Sequence, residues 1–116
     1  MSVIKAIPKS LLIHTVTHAK AIDLDRWGAE QLIEKQELDH VRLEPSSKMI
    51  RDKNNAEVRL AALLFYDCRN SRPRDVELKE DDIIVFHGET YRVQVCEPLY
   101  DNRKLHHYEL GLVRHA

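Results

Sequence analysis

Hydrophobic and polar residues alternate along much of the chain, most cleanly in its C-terminal half. Within residues 90–96, Tyr91, Val93 and Val95 share one parity and Arg92 and Gln94 the other. Within 107–113, Tyr108, Leu110 and Leu112 stand opposite Glu109 and Gly111. A period of two marks a strand with one face in a core. Residues 83–86 are apolar throughout, as in a short strand buried on both faces. The link His87-Gly88-Glu89 has hairpin length, and Pro98 with Asp101-Asn102-Arg103-Lys104 marks the next reversal. Three consecutive antiparallel strands are expected near 82–87, 90–97 and 105–114.

The N-terminal half is less regular. Residues 11–18 hold the β-favouring Ile13, Thr15, Val16 and Thr17, with Pro8 just ahead of the expected strand. In 39–44, Val41 and Leu43 alternate with His40, Arg42 and Glu44 until Pro45-Ser46-Ser47 stops the run. Residues 28–38 are rich in helix formers, and Ala29, Leu32 and Ile33 sit at helical spacing, so a turn or two of helix competes with an extended strand. Residues 57–66 are equally divided between Ala61-Ala62-Leu63-Leu64 and the β-favouring Val58, Phe65 and Tyr66. Between these segments lies Ser46-Ser47-Lys48-Met49-Ile50-Arg51-Asp52-Lys53-Asn54-Asn55, with two apolar residues among eight polar ones. It has no core-facing pattern and is expected to be an exposed, mobile loop, the kind of long insertion that tends to carry function.

At 116 residues the chain has room for one domain, and 43% hydrophobic with 32% charged residues is a globular balance. Lys and Arg number 18 against 19 Asp and Glu, so the field of a dedicated nucleic-acid binder is missing. The basic residues Lys48, Arg51 and Lys53 in the loop are the one local patch that would suit a polyanion. No apolar run is long enough to span a bilayer, and the N-terminal residues carry no continuous signal-peptide core. Cys68 and Cys96 are too few for a disulfide scaffold and are expected as free thiols in a reducing compartment.

Seven histidines invite a metal site, but their spacing argues against one. His14 and His18 on one strand would be about 13 Å apart, too far to share an ion bound at about 2 Å per ligand. His106 and His107 are adjacent and should leave a strand on opposite faces. Neither cysteine belongs to a Cys-x-x-Cys pair. The sequence holds no phosphate loop, nucleophile elbow or zinc-protease motif. The run Glu80-Asp81-Asp82 reads as a polar turn with no nearby partner. No catalytic residue, metal or cofactor is therefore assigned. The aromatics Phe65, Phe86, Tyr91 and Tyr108 are better used as core than as a base-stacking platform, and Trp27 beside Gly28 reads as a turn-packing residue.

Three stretches together resemble a known family. They are Pro8-Lys9-Ser10-Leu11-Leu12-Ile13-His14-Thr15-Val16-Thr17, then Val41-Arg42-Leu43-Glu44-Pro45-Ser46, and the pattern Asp82-x-Ile84…Gly88-x-x-Tyr91-x-Val93…Glu97-Pro98 closing with Leu105-His106-His107-Tyr108-Glu109-Leu110-Gly111-Leu112-Val113. With Ala61-Leu63-Leu64-Phe65-Tyr66-Asp67 the likeness covers nearly the whole chain. It resembles the minor capsid proteins of phages and prophages of Gram-positive bacteria and, more broadly, the head-completion stoppers of long-tailed phages. The resemblance implies an all-β fold, a small antiparallel barrel with a long loop between early strands and at most one short helix, and it makes 57–66 a strand. It implies one head–tail connector domain over 1–116 that assembles into a ring in the virion. Its partners would be portal or adaptor proteins above and a tail terminator below. The loop 46–55 would face the central channel, with Lys48, Arg51 and Lys53 toward DNA. Before assembly the subunit would be a monomer in the host cytoplasm, without membrane contact. The competing reading is a small barrel that binds nucleic acid or another ligand on its own. The family runs extended where this chain has its helix-like segment 28–38.

Overall fold

The computed structural model describes residues 8–23, 30–101 and 104–115. One 3-10 turn, Lys9–Leu11, precedes the strands β1 His14–Asp23, β2 Glu30–Pro45, β3 Met49–Arg51, β4 Glu57–Arg59, β5 Ala62–Asp67, β6 Ile83–Phe86, β7 Glu89–Asp101 and β8 Lys104–Arg114. Six of them close an antiparallel barrel in the order β1-β2-β5-β8-β7-β6, with β6 returning to β1, while β3 and β4 form a separate two-stranded ribbon. The expected all-β barrel is the observed architecture, and the three C-terminal strands lie where the alternation puts them. Trp27, Gly28 and Ala29 fall outside the described residues.

The barrel interior is filled by alternate residues of each strand. Val16, Leu38, Val41, Leu43, Ala62, Leu64, Tyr66, Ile84, Tyr91, Val93, Leu110 and Leu112 form one buried cluster, closed by Leu78 from the connection before β6. Each buried side chain of this size contributes about 1.5–3 kcal/mol of transfer free energy. Phe86 and Tyr108 pack against the cluster, but Phe65 faces the other side of β5, between the inward Leu64 and Tyr66. The β6–β7 hairpin turns on His87 and Gly88 at φ 50° and 78°, between the paired Phe86 and Glu89. Positive φ at both central residues is the turn whose twist matches a hairpin.

The helical competitor in 28–38 loses to pairing: from Glu30 onward the chain is strand β2. The pairing register of β2 with β1 slips twice. His14 pairs with Val41 but Val16 with Leu38, and His18 with Gln36 but Lys20 with Ile33. Each slip inserts one extra residue in β2, and His40 and Glu34 adopt φ 55° and 54° at these two bulges. Consecutive core-side positions of β2 are therefore Gln36, Leu38, Val41 and Leu43, with a step of three among steps of two. A bulge bends and twists its strand, as closing a small barrel requires.

A third bulge corrects the parity of β7. Val93 pairs with Leu112 and Val95 with Gly111, so Gln94 is the extra residue. Val93 is fully buried in the cluster, whereas Val95 turns to the outer face, and Cys96 packs toward the core in its place. Outside, Val95 meets Leu60 over Gly111, where an added Cβ would lie 2.7 Å from Val95 Cγ1 and 2.9 Å from Leu60 Cδ1.

The narrowest seam of the barrel is β1–β6, with only three residue pairs, Thr17–Val85, His18–Ile84 and Ala19–Ile83. Asp82, the residue before β6, reinforces it. Its buried carboxylate accepts from Lys20 Nζ at 2.7 and 2.9 Å, from the Lys79 N–H at 2.9 Å and from His18 Nε2 at 2.7 Å. Gln36 on β2 lies 3.2 Å from His18 Nδ1, and an amide N–H donated there leaves Nε2 to carry the ring proton toward Asp82. The reading of Glu80-Asp81-Asp82 as a solvated turn thus fails at Asp82, whose partners are 62 and 64 residues away in sequence.

Two substitutions test this account. Removing one partner of a buried charge network costs about 3–5 kcal/mol, so Asp82→Ala should lower the denaturation free energy by that order, measured by urea unfolding. Gly111→Ala should cost about 1–3 kcal/mol through overpacking against Val95 and Leu60, and trimming Val95 to Ala in the same chain should recover part of the loss.

Candidate assembly surface

The ribbon leaves β2 at Pro45 and rejoins β5 at Ala62, two residues that face each other across the β2–β5 ladder. Backbone bonds from Ser46 N to Ala61 O (3.0 Å) and Leu60 N to Lys48 O (2.9 Å) continue the pairing into its base. The segment 46–55 is thus built into a hairpin: Met49, Ile50 and Arg51 pair with Arg59, Val58 and Glu57. At the tip, Asp52 Oδ1 accepts the N–H groups of Asn54 (2.8 Å) and Ala56 (3.0 Å), and Asn55 takes φ 62°. A turn closed by a left-handed residue is the usual three-residue hairpin loop, and Asp and Asn are the types that favour it.

The two faces of the ribbon differ. Ile50 and Val58 are half-buried, and Ile50 lines a cleft with Arg92, Gln94 and Val95 of the barrel wall. Met49, Arg51, Glu57 and Arg59 are exposed, as are Lys48 and Lys53. Three of the ten segment residues are thus basic, Lys48, Arg51 and Lys53, joined on the neighbouring strand by Arg59. The structure gives two of them acidic partners: Arg51 lies 3.4 Å from Glu57, and Lys53 lies 3.1 Å from Glu80 on the barrel. The Glu80 hydrogen bond and its charge hold the Lys53 ammonium above its usual range. Exposed pairs of this kind add little to stability. Lys48 and Arg59 keep their charge on the outward face.

The histidines do not form a common site. His14 Nδ1 accepts the Leu43 N–H at 3.0 Å and its ring meets Phe86 edge-on, where burial first, then Arg42 and His87, push its pKa down. Here the side chain takes a ladder donor at the point where β1 begins. His14, Phe86 and His87 border an open groove with Leu43, Pro45 and Tyr91. His18 belongs to the Asp82 network. His106 and His107 are brought together, against the expectation of opposite faces. Leu99 pairs with His107 but Tyr100 with Leu105, so His106 is a bulge residue and its ring turns toward its neighbour, Nδ1 to Nδ1 at 2.7 Å. Among the described residues no three His, Cys, Asp or Glu side chains gather in a metal-binding group. Burial raises both thiols, Cys96 to about 11, so neither is a ready nucleophile. Burial likewise lifts Tyr66 to about 12, with its hydroxyl donating to the Pro73 carbonyl.

The Lys53–Glu80 contact is checkable: Glu80→Gln should bring the Lys53 pKa back toward its ordinary 10.5 in an NMR titration and leave the melting temperature unchanged.

No curated protein and no solved structure matches this chain. A family model described as minor capsid protein matches residues 8–112, which includes β1 to β7, the whole ribbon and all but the last two residues of β8. With the match running from ahead of β1 almost to the end of β8, the chain belongs to the minor capsid protein family, whose members are structural components of the virion.

Proposed function

We propose that this minor capsid protein is a head-completion stopper. It forms a ring below the portal and its adaptor, retains the packaged DNA and gives the tail a docking surface. The observation that carries this reading is the ribbon: a built hairpin inserted between neighbouring barrel strands, apolar toward the wall and basic on its outward side. A channel that holds DNA needs positive groups near phosphate but no sequence readout, and Lys48, Arg51 and Lys53 supply such groups without an aromatic platform.

A ring of identical subunits needs two different, complementary patches per subunit, and rotation that closes limits its growth. A near-neutral chain stacks in such a ring without strong self-repulsion. The role is one of assembly, with no chemistry asked of the subunit. The isolated protein is then a monomer, and ring contacts form only on the portal–adaptor platform.

The triple variant Lys48→Glu, Arg51→Glu, Lys53→Glu tests the reading in a phage that encodes the chain. Its barrel should unfold at the wild-type temperature. Heads built with it should package DNA, lose it and take few tails, counted as filled and tailed particles in electron micrographs. Wild-type numbers of filled, tailed particles would overturn the channel assignment. Salt-sensitive binding of the isolated chain to free oligonucleotides, abolished by Lys48→Ala, Arg51→Ala and Lys53→Ala, would favour the competing nucleic-acid module instead.

A further inference from the structure

Two histidine rings meet away from the ribbon, at the β8 bulge. His106 Nδ1 and His107 Nδ1 are 2.7 Å apart, with the rings edge to face at a centroid distance of 4.9 Å. A hydrogen bond between two imidazole nitrogens requires one to carry a proton and the other to be bare. His106 Nε2 is buried and has no partner. That fixes the cheaper arrangement. With the proton on His106 Nδ1, the buried Nε2 is only an unmet acceptor; with the proton on Nε2, it is an unmet donor and the pair depends on His107 to donate. The same orphan argues against a metal bridging the two Nδ1 atoms, because a ligating imidazole normally donates its other N–H to a partner.

We infer that His106 and His107 form a proton-operated latch on the β8 bulge, where the Cys68 N–H meets the His106 carbonyl, held shut by one shared proton and released by a second. Adding that proton places N–H against N–H at the contact or forces a charged His106 to bury an unpaired donor. Burial, then the neighbouring His106, depress the pKa of His107, while Glu109 on β8 and Asp67 on β5 partly offset them. Leu99 pairs with His107 from β7, and the Cys68 N–H donates to the His106 carbonyl at 3.0 Å. Beyond the bulge only Tyr100–Leu105 and Asp101–Lys104 continue the ladder, and β5 ends at Asp67. A two-stranded end with no third strand opens easily.

The sign follows from linkage. An opened His107 takes a proton at the ordinary value near 6.5, and the closed one only at lower pH. The latch is therefore at full strength above that value and weakens as pH falls through it.

Imidazole ¹⁵N NMR and amide exchange on the full chain test the proposal. At pH 7.5 one Nδ1 of the pair should be protonated and the other bare. Between pH 7.5 and 5, protection of the Cys68 amide should fall relative to that of Leu64 in mid-β5. His106→Phe, which fills the same space without a nitrogen, should abolish that pH dependence. His107→Phe should do the same, should the first variant fail to fold. Rings that both titrate at or above about 6.5, or a Cys68-to-Leu64 protection ratio that stays flat with pH, would overturn the latch.

Discussion

A barrel of six strands exists only if its first and last members meet, and here that meeting is brief. β1 and β6 share three residue pairs, whereas β1–β2 and β7–β8 are long hairpins that form from neighbouring stretches of chain. Asp82 makes the short seam hold. Its carboxylate gathers a lysine and a histidine from β1 and a backbone N–H from its own loop, and Gln36 of β2 braces the histidine from the other side. Such a cluster is costly to desolvate and sensitive to any missing partner, which makes the closed register specific. The core behind it, from Val16 to Leu112, stays dry only while that seam is shut.

Curvature is the second demand. Two bulges in β2, one in β7 and one in β8 supply it. Each re-aims side chains locally. The β7 bulge sends Val95 outward onto Leu60 and Gly111, which anchors the outer layer beneath the ribbon. The β8 bulge turns His106 onto His107.

The same bulges explain what the sequence could and could not convey. Where the ladder is regular, in most of β8 and the first half of β7, simple alternation located strands and inward residues. β6 showed only as an apolar run, and 57–66, divided between helix and strand by its residues, holds β4 and all but the last residue of β5. Where a residue is inserted, parity changes partway: Val95 was assigned inward and is not, and the pair His106–His107 was split between faces and is not. In 28–38 the helix formers Ala, Glu, Gln and Lys and the spacing of Ala29, Leu32 and Ile33 favour a helix that pairing with β1 overrides. Only the partner strands decide such a segment. Asp82 was illegible for another reason, since its partners His18 and Lys20 are distant in sequence and a run of three acids resembles a solvated turn. The ribbon was visible as a polar insertion with Lys48, Arg51 and Lys53, but not as a hairpin, because three-residue strands leave almost no periodic trace. Glu80 across from Lys53 had no sequence signal at all.

The ribbon's two feet, Pro45 and Ala62, stand side by side in the ladder. A stretch of chain whose ends meet at that separation, and which keeps Leu60 on the wall and the Ala61 N–H on the Leu112 carbonyl, could be spliced there without moving a barrel strand. Reach and charge at this spot are therefore free to vary independently of the body that carries them, as with a tool held in a chuck.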